Sequence, residues 1–177
     1  MDLPNASPQP DSPNLECRPP LEADLVALCR ELNQRQARYV VIGGLAIMAA
    51  GFPRTTGDVD LIVASDLDNE ARVFAALATL PDNAVRELKA GELEQFAIIR
   101  VADEIIVDLM CSAGGIRYEE AAREVVIRDI QGVPIPFASP RLLWRMKVVT
   151  HREKDALDLV FLRQWFAERG EEPPQTN

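Results

Sequence analysis

The stretch VIGGLAIMAAGFPRTTGDVDLIV, residues 41–63, decides the fold of this chain. Its apolar ends predict two buried strands. Gly43 and Gly44 predict a turn that connects the first strand to a short helix. The second strand carries two aspartates, Asp58 and Asp60, among apolar residues. A buried carboxylate is costly unless something compensates its charge, so this strand predicts a cation beside it.

The two aspartates have the spacing of a metal site. Side chains alternate across a strand, so Asp58 and Asp60 point to the same face, with attachment points about 6.5 Å apart. Both carboxylates can then reach one divalent ion or two neighbouring ions, and hard oxygen ligands favour Mg²⁺ or Mn²⁺. The alternative is structural: Asp58 caps a turn after Gly57, and Asp60 pairs with a distant Arg or Lys.

Two further features belong with this pair. Gly43 and Gly44 allow close backbone approach at a helix start, which favours an anion such as phosphate; the alternative is a tight turn without a ligand. Asp108 lies in EIIVDLM, residues 104–110, an otherwise apolar strand. We expect it to bind the same metal or, alternatively, to pair with Arg54 or Arg100.

A cluster of charges follows in MKVVTHREKDALDLVFL, residues 146–162. Its charged and titratable members include Lys147, His151, Arg152, Lys154, Asp155 and Asp158. We expect Lys147 and His151 to share a helix face, and the basic side chains to neutralise a triphosphate. The alternative is a solvated helix whose charges pair with one another.

Composition limits the classes of function. The 177-residue chain has a formal net charge of −9, so we expect contact with nucleic acid to be local rather than along a broad basic surface. Its three cysteines are widely spaced, which favours reduced thiols in a cytoplasm. The sequence contains no run of about 18 apolar residues, so we expect no membrane span. Its N-terminus lacks the pattern of a secretory signal.

The sequence predicts one domain at 21–170 between two disordered tails, a proline-rich one at 1–20 and a polar one at 171–177. One helix is predicted to begin at 21, and further helices are predicted at 43–50, 68–80, 118–123 and 140–170, the last with a break near 150. Strands are predicted at 39–42, 58–63, 96–101, 104–110, 125–130 and 133–137. Ala102 and Asp103 are expected to form a tight hairpin turn, and Ser139 to cap the helix that follows it. This order predicts an α+β, or mixed α/β, fold around one sheet.

These segments resemble a known superfamily. Gly43-Gly44, RTTGDVDLIV at 54–63 and IIVDLM at 105–110 resemble the polymerase-β type of nucleotidyltransferase. With SPRLLWRMKVVTHREKDALDL at 139–159, the pattern is most similar to the AbiEii-like nucleotidyltransferases, the toxins of type IV toxin–antitoxin systems. The resemblance covers roughly residues 38–165.

The resemblance implies a small mixed sheet flanked by helices, a Mg²⁺ or Mn²⁺ cofactor, and transfer of a nucleoside monophosphate with release of pyrophosphate. It implies catalytic roles for Asp58, Asp60, Asp108, Lys147 and Asp155, the first three as metal ligands, and nucleotide binding by Gly43, Gly44, Arg54, Thr56, Arg152 and Lys154. Residue 44 departs from the superfamily pattern, because glycine stands where serine is common and a hydroxyl that would contact phosphate is missing.

Several functions remain open at this point. The leading one is a nucleotidyltransferase that acts on RNA or on a protein, with an antitoxin as a further partner and no membrane contact. A second is modification of aminoglycoside or lincosamide antibiotics, since an acidic cleft suits a cationic aminoglycoside. A third is a nucleotide-binding module that has the fold but no activity. A glycosyltransferase also uses Asp-x-Asp with a metal, but it fits the glycine turn and Asp108 less well.

Overall fold

The computed structural model describes residues 17–175. Its helices are α1 Glu22–Gln34, α2 Gly43–Ala49, α3 Leu67–Leu77, α4 Glu92–Gln95, α5 Tyr118–Ala121, α6 Pro140–Val148 and α7 Ala156–Ala167, with 3₁₀ turns at Ala84–Glu87 and Glu153–Asp155. Its strands are β1 Tyr39–Val41, β2 Asp58–Val63, β3 Ile99–Ala102, β4 Ile106–Met110, β5 Ser112–Ala113, β6 Ile116–Arg117, β7 Val125–Ile130 and β8 Val133–Ala138. The α+β class expected from the sequence is therefore confirmed.

Six of these strands form one mixed sheet in the order β3-β4-β2-β1-β8-β7, and β5 pairs with β6 beside it. β2 is an inner strand, parallel to β4 on one side and antiparallel to β1 on the other. Val59 and Leu61 of β2 are fully buried, while the aspartates between and before them face the other side. Strand β2 therefore packs one face into the hydrophobic core and presents its acidic side chains on the other face.

The β3–β4 turn differs from the prediction. Ala102 pairs with Ile106, so Asp103, Glu104 and Ile105 form the loop, and the predicted two-residue turn at 102–103 is wrong. The reason is the buried carboxylate of Asp103, which accepts hydrogen bonds from the backbone N–H groups of Asp82, Ala84 and Glu104. These bonds hold the loop open by one extra residue, which changes every pairing along the two strands.

Helix α6 begins where the sequence predicts. Ser139 Oγ accepts a hydrogen bond from the Leu142 N–H at 3.2 Å, and Pro140 occupies the first turn of α6. The expected break also occurs, but His151 lies inside it with a positive φ of 50° and an exposed side chain. The prediction that His151 and Lys147 share a helix face is therefore wrong.

Packing contacts extend past the predicted domain limits of 21–170. The Arg18 N–H donates to the Glu104 carbonyl at 2.9 Å. At the other end, Trp144 Nε1 donates to the Pro174 carbonyl at 3.2 Å.

Residues 1–16 and 176–177 lie outside the described part of the chain, so disorder of the tails there stays a prediction. Within residues 17–175 the longest helix, α1, has 13 residues, whereas a bilayer span takes about 20. None of the described helices is long and apolar enough to cross a membrane.

Candidate active site

Three carboxylates converge on one face of the sheet. β2 and β4 run parallel with Asp60 opposite Asp108, so these two side chains share the face on which Asp58 also lies. One carboxylate oxygen of each residue lies within 4.8 Å of those of the other two. The structure thus brings together the three aspartates that the sequence analysis assigned to a metal.

The glycine turn lies against this cluster. The Ile42 N–H donates to the Asp60 carbonyl at 3.0 Å, which extends the β1–β2 pairing and places Gly43 beside Asp60. Gly43 has a φ of +63°, and a Cβ there would lie 1.9 Å from Asp60 Oδ2. Only glycine fits this position, because both the left-handed backbone and the missing side chain are required.

Thr56 fills the space beside the second glycine. A Cβ on Gly44 would lie 2.6 Å from Thr56 Oγ1, although the Gly44 backbone itself is not left-handed. The Thr56 hydroxyl also donates to Asp58 Oδ1 at 3.1 Å. A hydroxyl is therefore present next to position 44, supplied by Thr56 instead of by a serine at 44 itself.

Asp60 carries the least compensated charge of the three. Its carboxylate makes no ion pair and accepts no hydrogen bond from any residue in the range 17–175. Burial, followed by repulsion from Asp58 and Asp108, raises the pKa of Asp60 from an ordinary 3.8 to about 6, against the opposing attraction of Lys154 and Lys147. A divalent cation would relieve this cost.

Asp108 is bound by an arginine. Arg100 faces it directly across the β3–β4 pairing, with Nε at 2.8 Å from Oδ1 and Nη2 at 2.7 Å from Oδ2. The same Nη2 lies 3.6 Å from Asp58 Oδ2. The Asp108 side chain is 6% exposed and the Arg100 side chain 57%, so a solvent-facing cation covers a buried acid. The structural alternative for Asp108, a pair with Arg100, is thus present in this structure.

Lys147 is held in a second, buried ionic network. Its ammonium lies 2.5 Å from Asp155 Oδ1 and 2.9 Å from Asp158 Oδ2, and Asp158 also binds Arg54. Burial opposes ionisation of Asp155, but the hydrogen bond and the charge of Lys147, together with a hydrogen bond from Thr150, outweigh it and lower the pKa of Asp155. This network ties α6 to the start of α7 and to the segment before β2.

A cleft of about 320 Å³ joins these groups. Its charged lining consists of Arg54, Arg100, Lys147, Arg152 and Lys154 with Asp58, Asp60, Asp108 and Asp155, and Gly43, Gly44 and Thr56 also line it. The eleven residues to which the resemblance gives a metal, catalytic or nucleotide-binding role therefore border one space, whereas His151 does not line it. The exposed Arg152 and Lys154 make no ion pair with any residue from 17 to 175.

The apolar part of this cleft was not predicted from the sequence. Ile98, Met110, Leu143 and Met146 line it together with the charged groups. Ile98 is 46% exposed, which is unusual for isoleucine. Nothing in the local pattern marks these residues, because each of them also fits an ordinary core strand or helix.

Comparisons with known proteins support the fold. No family model matches the sequence, and no curated protein matches it either. Among solved structures, the chain is similar to an antigenic nucleotidyltransferase-like protein from Paracoccidioides brasiliensis, at 18% identity and a TM-score of 0.51 over 80% of this chain and 74% of that one. A Thermotoga maritima protein provisionally described as a nucleotidyltransferase matches at 15% identity and a TM-score of 0.45, over 85% of this chain and 97% of that one. The lower score adds nothing to the fold assignment.

The fold is therefore that of the nucleotidyltransferase-like proteins, as the sequence resemblance implied. At this level of identity the likeness extends to the fold alone.

Proposed function

We propose that this protein is a metal-dependent nucleotidyltransferase, which transfers a nucleoside monophosphate from a nucleoside triphosphate to a hydroxyl of an RNA or protein acceptor. The observation that carries the proposal is the convergence of Asp58, Asp60 and Asp108 within 4.8 Å, beside a glycine that leaves room for nothing larger. A purely structural role does not account for this arrangement, because Asp60 has no ion-pair partner among residues 17–175 and the attraction of Lys154 and Lys147 does not offset the cost of its burial beside two other carboxylates.

The donor set fits Mg²⁺ or Mn²⁺. Asp58, Asp60 and Asp108 offer only carboxylate oxygens, the hard ligands that these ions prefer, and Asp58 and Asp60 are partly open to the cleft. Bound there, the ion would neutralise triphosphate charge and polarise the reacting phosphate.

The chain's own groups would divide the remaining work. Arg152 and Lys154, which are exposed and free of ion pairs within the described residues, would bind the triphosphate oxygens. Gly44 and the Thr56 hydroxyl would flank the phosphates on the other side. Asp108 would orient the acceptor hydroxyl and accept its proton as the hydroxyl oxygen bonds to the α-phosphorus and the bond to the departing pyrophosphate breaks.

Lys147 and Asp155 would contribute differently. They line the cleft but bind each other at 2.5 Å, so their main effect would be to fix the segment that carries Arg152 and Lys154. Accurate placement of such groups is a large part of catalysis by proximity, since small displacements of bound substrate are costly in rate.

The biological setting that we propose is a toxin of the AbiEii-like class, inhibited by an antitoxin partner. The support is the order of four segments, from the glycine pair through RTTGDVDLIV and IIVDLM to the helix with Lys147 and Asp155, all of which border one cleft.

The test is incubation of the purified protein with each α-labelled nucleoside triphosphate, Mg²⁺ and a tRNA pool or protein extract. Label should pass to one acceptor class, and Asp60→Asn should abolish the transfer. Glu119→Gln, which also changes a carboxylate to an amide but lies exposed outside the cleft, should transfer normally. The same incubation with a panel of aminoglycosides and lincosamides as acceptors tests the alternative, and labelling of an antibiotic instead would assign the antibiotic-modifying activity. Equal labelling by wild type and Asp60→Asn would contradict the proposal.

A second candidate is a nucleotide-binding module without catalysis. The bidentate contact between Arg100 and Asp108 favours it, because that contact occupies both oxygens of the proposed proton acceptor. Metal-dependent nucleotide binding without release of pyrophosphate would identify this function.

A further inference from the structure

Arg100 occupies the place where a cation is expected. Its guanidinium uses two nitrogens on Asp108, at 2.8 and 2.7 Å, and approaches Asp58 Oδ2 to 3.6 Å. It therefore contacts two of the three carboxylates that form the candidate metal site. The sequence resemblance assigns it no role.

Two physical outcomes are open to such an arginine when a divalent ion arrives. A carboxylate has lone pairs for more than one partner, so Arg100 could stay on Asp108 and orient it for the ion. Alternatively, the guanidinium and the ion could compete for the same oxygens. The two cases predict opposite effects of removing Arg100 on metal affinity.

The contacts favour competition. Arg100 spans Asp108 and Asp58 instead of lying behind one of them, so the positive ion would have to sit next to a positive guanidinium. Arg100 also extends from β3, the edge strand of the sheet, with its side chain 57% exposed. Little packing holds the guanidinium in place and solvent can replace its hydrogen bonds, so its displacement into the cleft that it already lines should weaken metal binding by only about tenfold.

We propose that Arg100 is an internal substitute for the metal: it binds Asp108 and Asp58 in the metal-free protein, and divalent-ion binding displaces its guanidinium into the cleft. The exchange keeps the acidic cluster compensated in both states. It also delivers a third unpaired cation to the cleft, alongside Arg152 and Lys154, at the moment when the metal is in place. This inference rests on the metal-binding part of the proposed function.

The test compares Mn²⁺ affinity, measured by electron paramagnetic resonance or calorimetry without nucleotide, in wild type, Arg100→Gln and Lys154→Gln. Lys154 is the charge-matched control, because it lines the same cleft without contacting these carboxylates. Loss of the paired charge-assisted hydrogen bonds should tighten Mn²⁺ binding by about tenfold in Arg100→Gln, and by distinctly less in Lys154→Gln. Unchanged or weaker binding in Arg100→Gln, or an equal gain in Lys154→Gln, would overturn the exchange.

A spectroscopic measurement keeps the test independent of that variant's stability. The arginine Nε–H resonances are recorded by nuclear magnetic resonance in wild type and in Arg100→Lys, which keeps the charge. The resonance that is missing from the variant's spectrum is that of Arg100. In wild type this resonance should lose its protection from solvent exchange as Mg²⁺ saturates the site. Persistent protection at saturation would mean that Arg100 stays on Asp108 and would refute the proposal.

Failure of the inference and failure of the proposed function give different results. If wild type binds Mn²⁺ and Asp60→Asn does not, the metal site stands whatever Arg100 does. If neither wild type nor Arg100→Gln binds Mn²⁺, the metal site itself is absent and both ideas fail.

Discussion

Replacement of Asp60 by asparagine should abolish transfer and, in the metal-free protein, make the fold more stable. The structure gives the reason: Asp60 is partly buried, lies next to two other carboxylates and has no ion-pair partner among residues 17–175. Its pKa rises from 3.8 to about 6, and at about 1.4 kcal/mol per pH unit this corresponds to about 3 kcal/mol of destabilisation when the group is ionised. An amide of the same shape avoids that cost, so we expect the variant to gain about 2–3 kcal/mol near pH 8.

The sign of the pH dependence follows from the direction of the pKa change. Because the pKa of Asp60 is raised, the folded state binds the Asp60 proton more tightly than the unfolded state does. The stabilisation from this proton is complete below the unfolded value of 3.8 and is lost as the pH rises to about 6. The advantage of Asp60→Asn over wild type should therefore be small near pH 4, grow between these two values and then level off.

The assay is urea unfolding in a chelating buffer at about pH 4 and about pH 8, followed by repetition with Mg²⁺. Mg²⁺ should stabilise wild type and leave Asp60→Asn unchanged, since only the former retains the full site. Glu119→Gln, an exposed carboxylate-to-amide change, should stay within about 0.5 kcal/mol of wild type at both pH values. The electrostatic argument would be refuted if Asp60→Asn were no more stable than wild type near pH 8, or if its gain in free energy of unfolding were the same at both pH values.

Other predictions test the surroundings of the site. Lys147→Met should lower the free energy of unfolding by about 3 kcal/mol, because it leaves two buried aspartates short of a partner; urea unfolding measures this, and a loss under 1 kcal/mol would contradict it. Gly44→Ser should destabilise the fold by about 1–3 kcal/mol through its clash with Thr56, and adding Thr56→Gly should recover part of that loss; additive effects in thermal melts would show that the two positions are not in contact. Glu70 accepts hydrogen bonds from the backbone N–H groups of Gly91 and Leu93. Glu70→Gln sets an NH₂ group against one of these two donors, so it should cost about 2 kcal/mol and speed amide exchange at Gly91 or Leu93; unaltered exchange at both would argue against this.

Much of the site follows from the sequence because it depends on local periodicity. The strand 58–63 was predicted with the bounds that the structure shows, and the two-residue period of a strand places Asp58 and Asp60 on one face whatever else the fold does. The short helix after Gly43 and the cap at Ser139 are equally local features. These elements need no knowledge of the rest of the chain.

The partner of Asp108 depends on a pairing that the local sequence does not fix. With a two-residue turn at 102–103, Arg100 would lie opposite Ile105 and not opposite Asp108. The observed pairing of Arg100 with Asp108 arises because buried Asp103 binds backbone groups from a distant segment and lengthens the loop. The sequence therefore names Arg100 as one of two candidate partners, and only the tertiary contacts of Asp103 select it.

The charges of the cleft explain how an acidic protein could hold a polyanionic substrate. The chain carries a net charge of −9, yet five basic and four acidic side chains line the cleft. Three of the basic groups are already paired, with Asp158, Asp108 and Asp155, which leaves Arg152 and Lys154 free within residues 17–175. Two free cations, or three once a metal has displaced Arg100, suit the phosphates of one nucleotide but not a long stretch of RNA backbone, whose binding needs many phosphate contacts. An RNA acceptor should therefore enter by its end, and its affinity should depend only weakly on salt concentration.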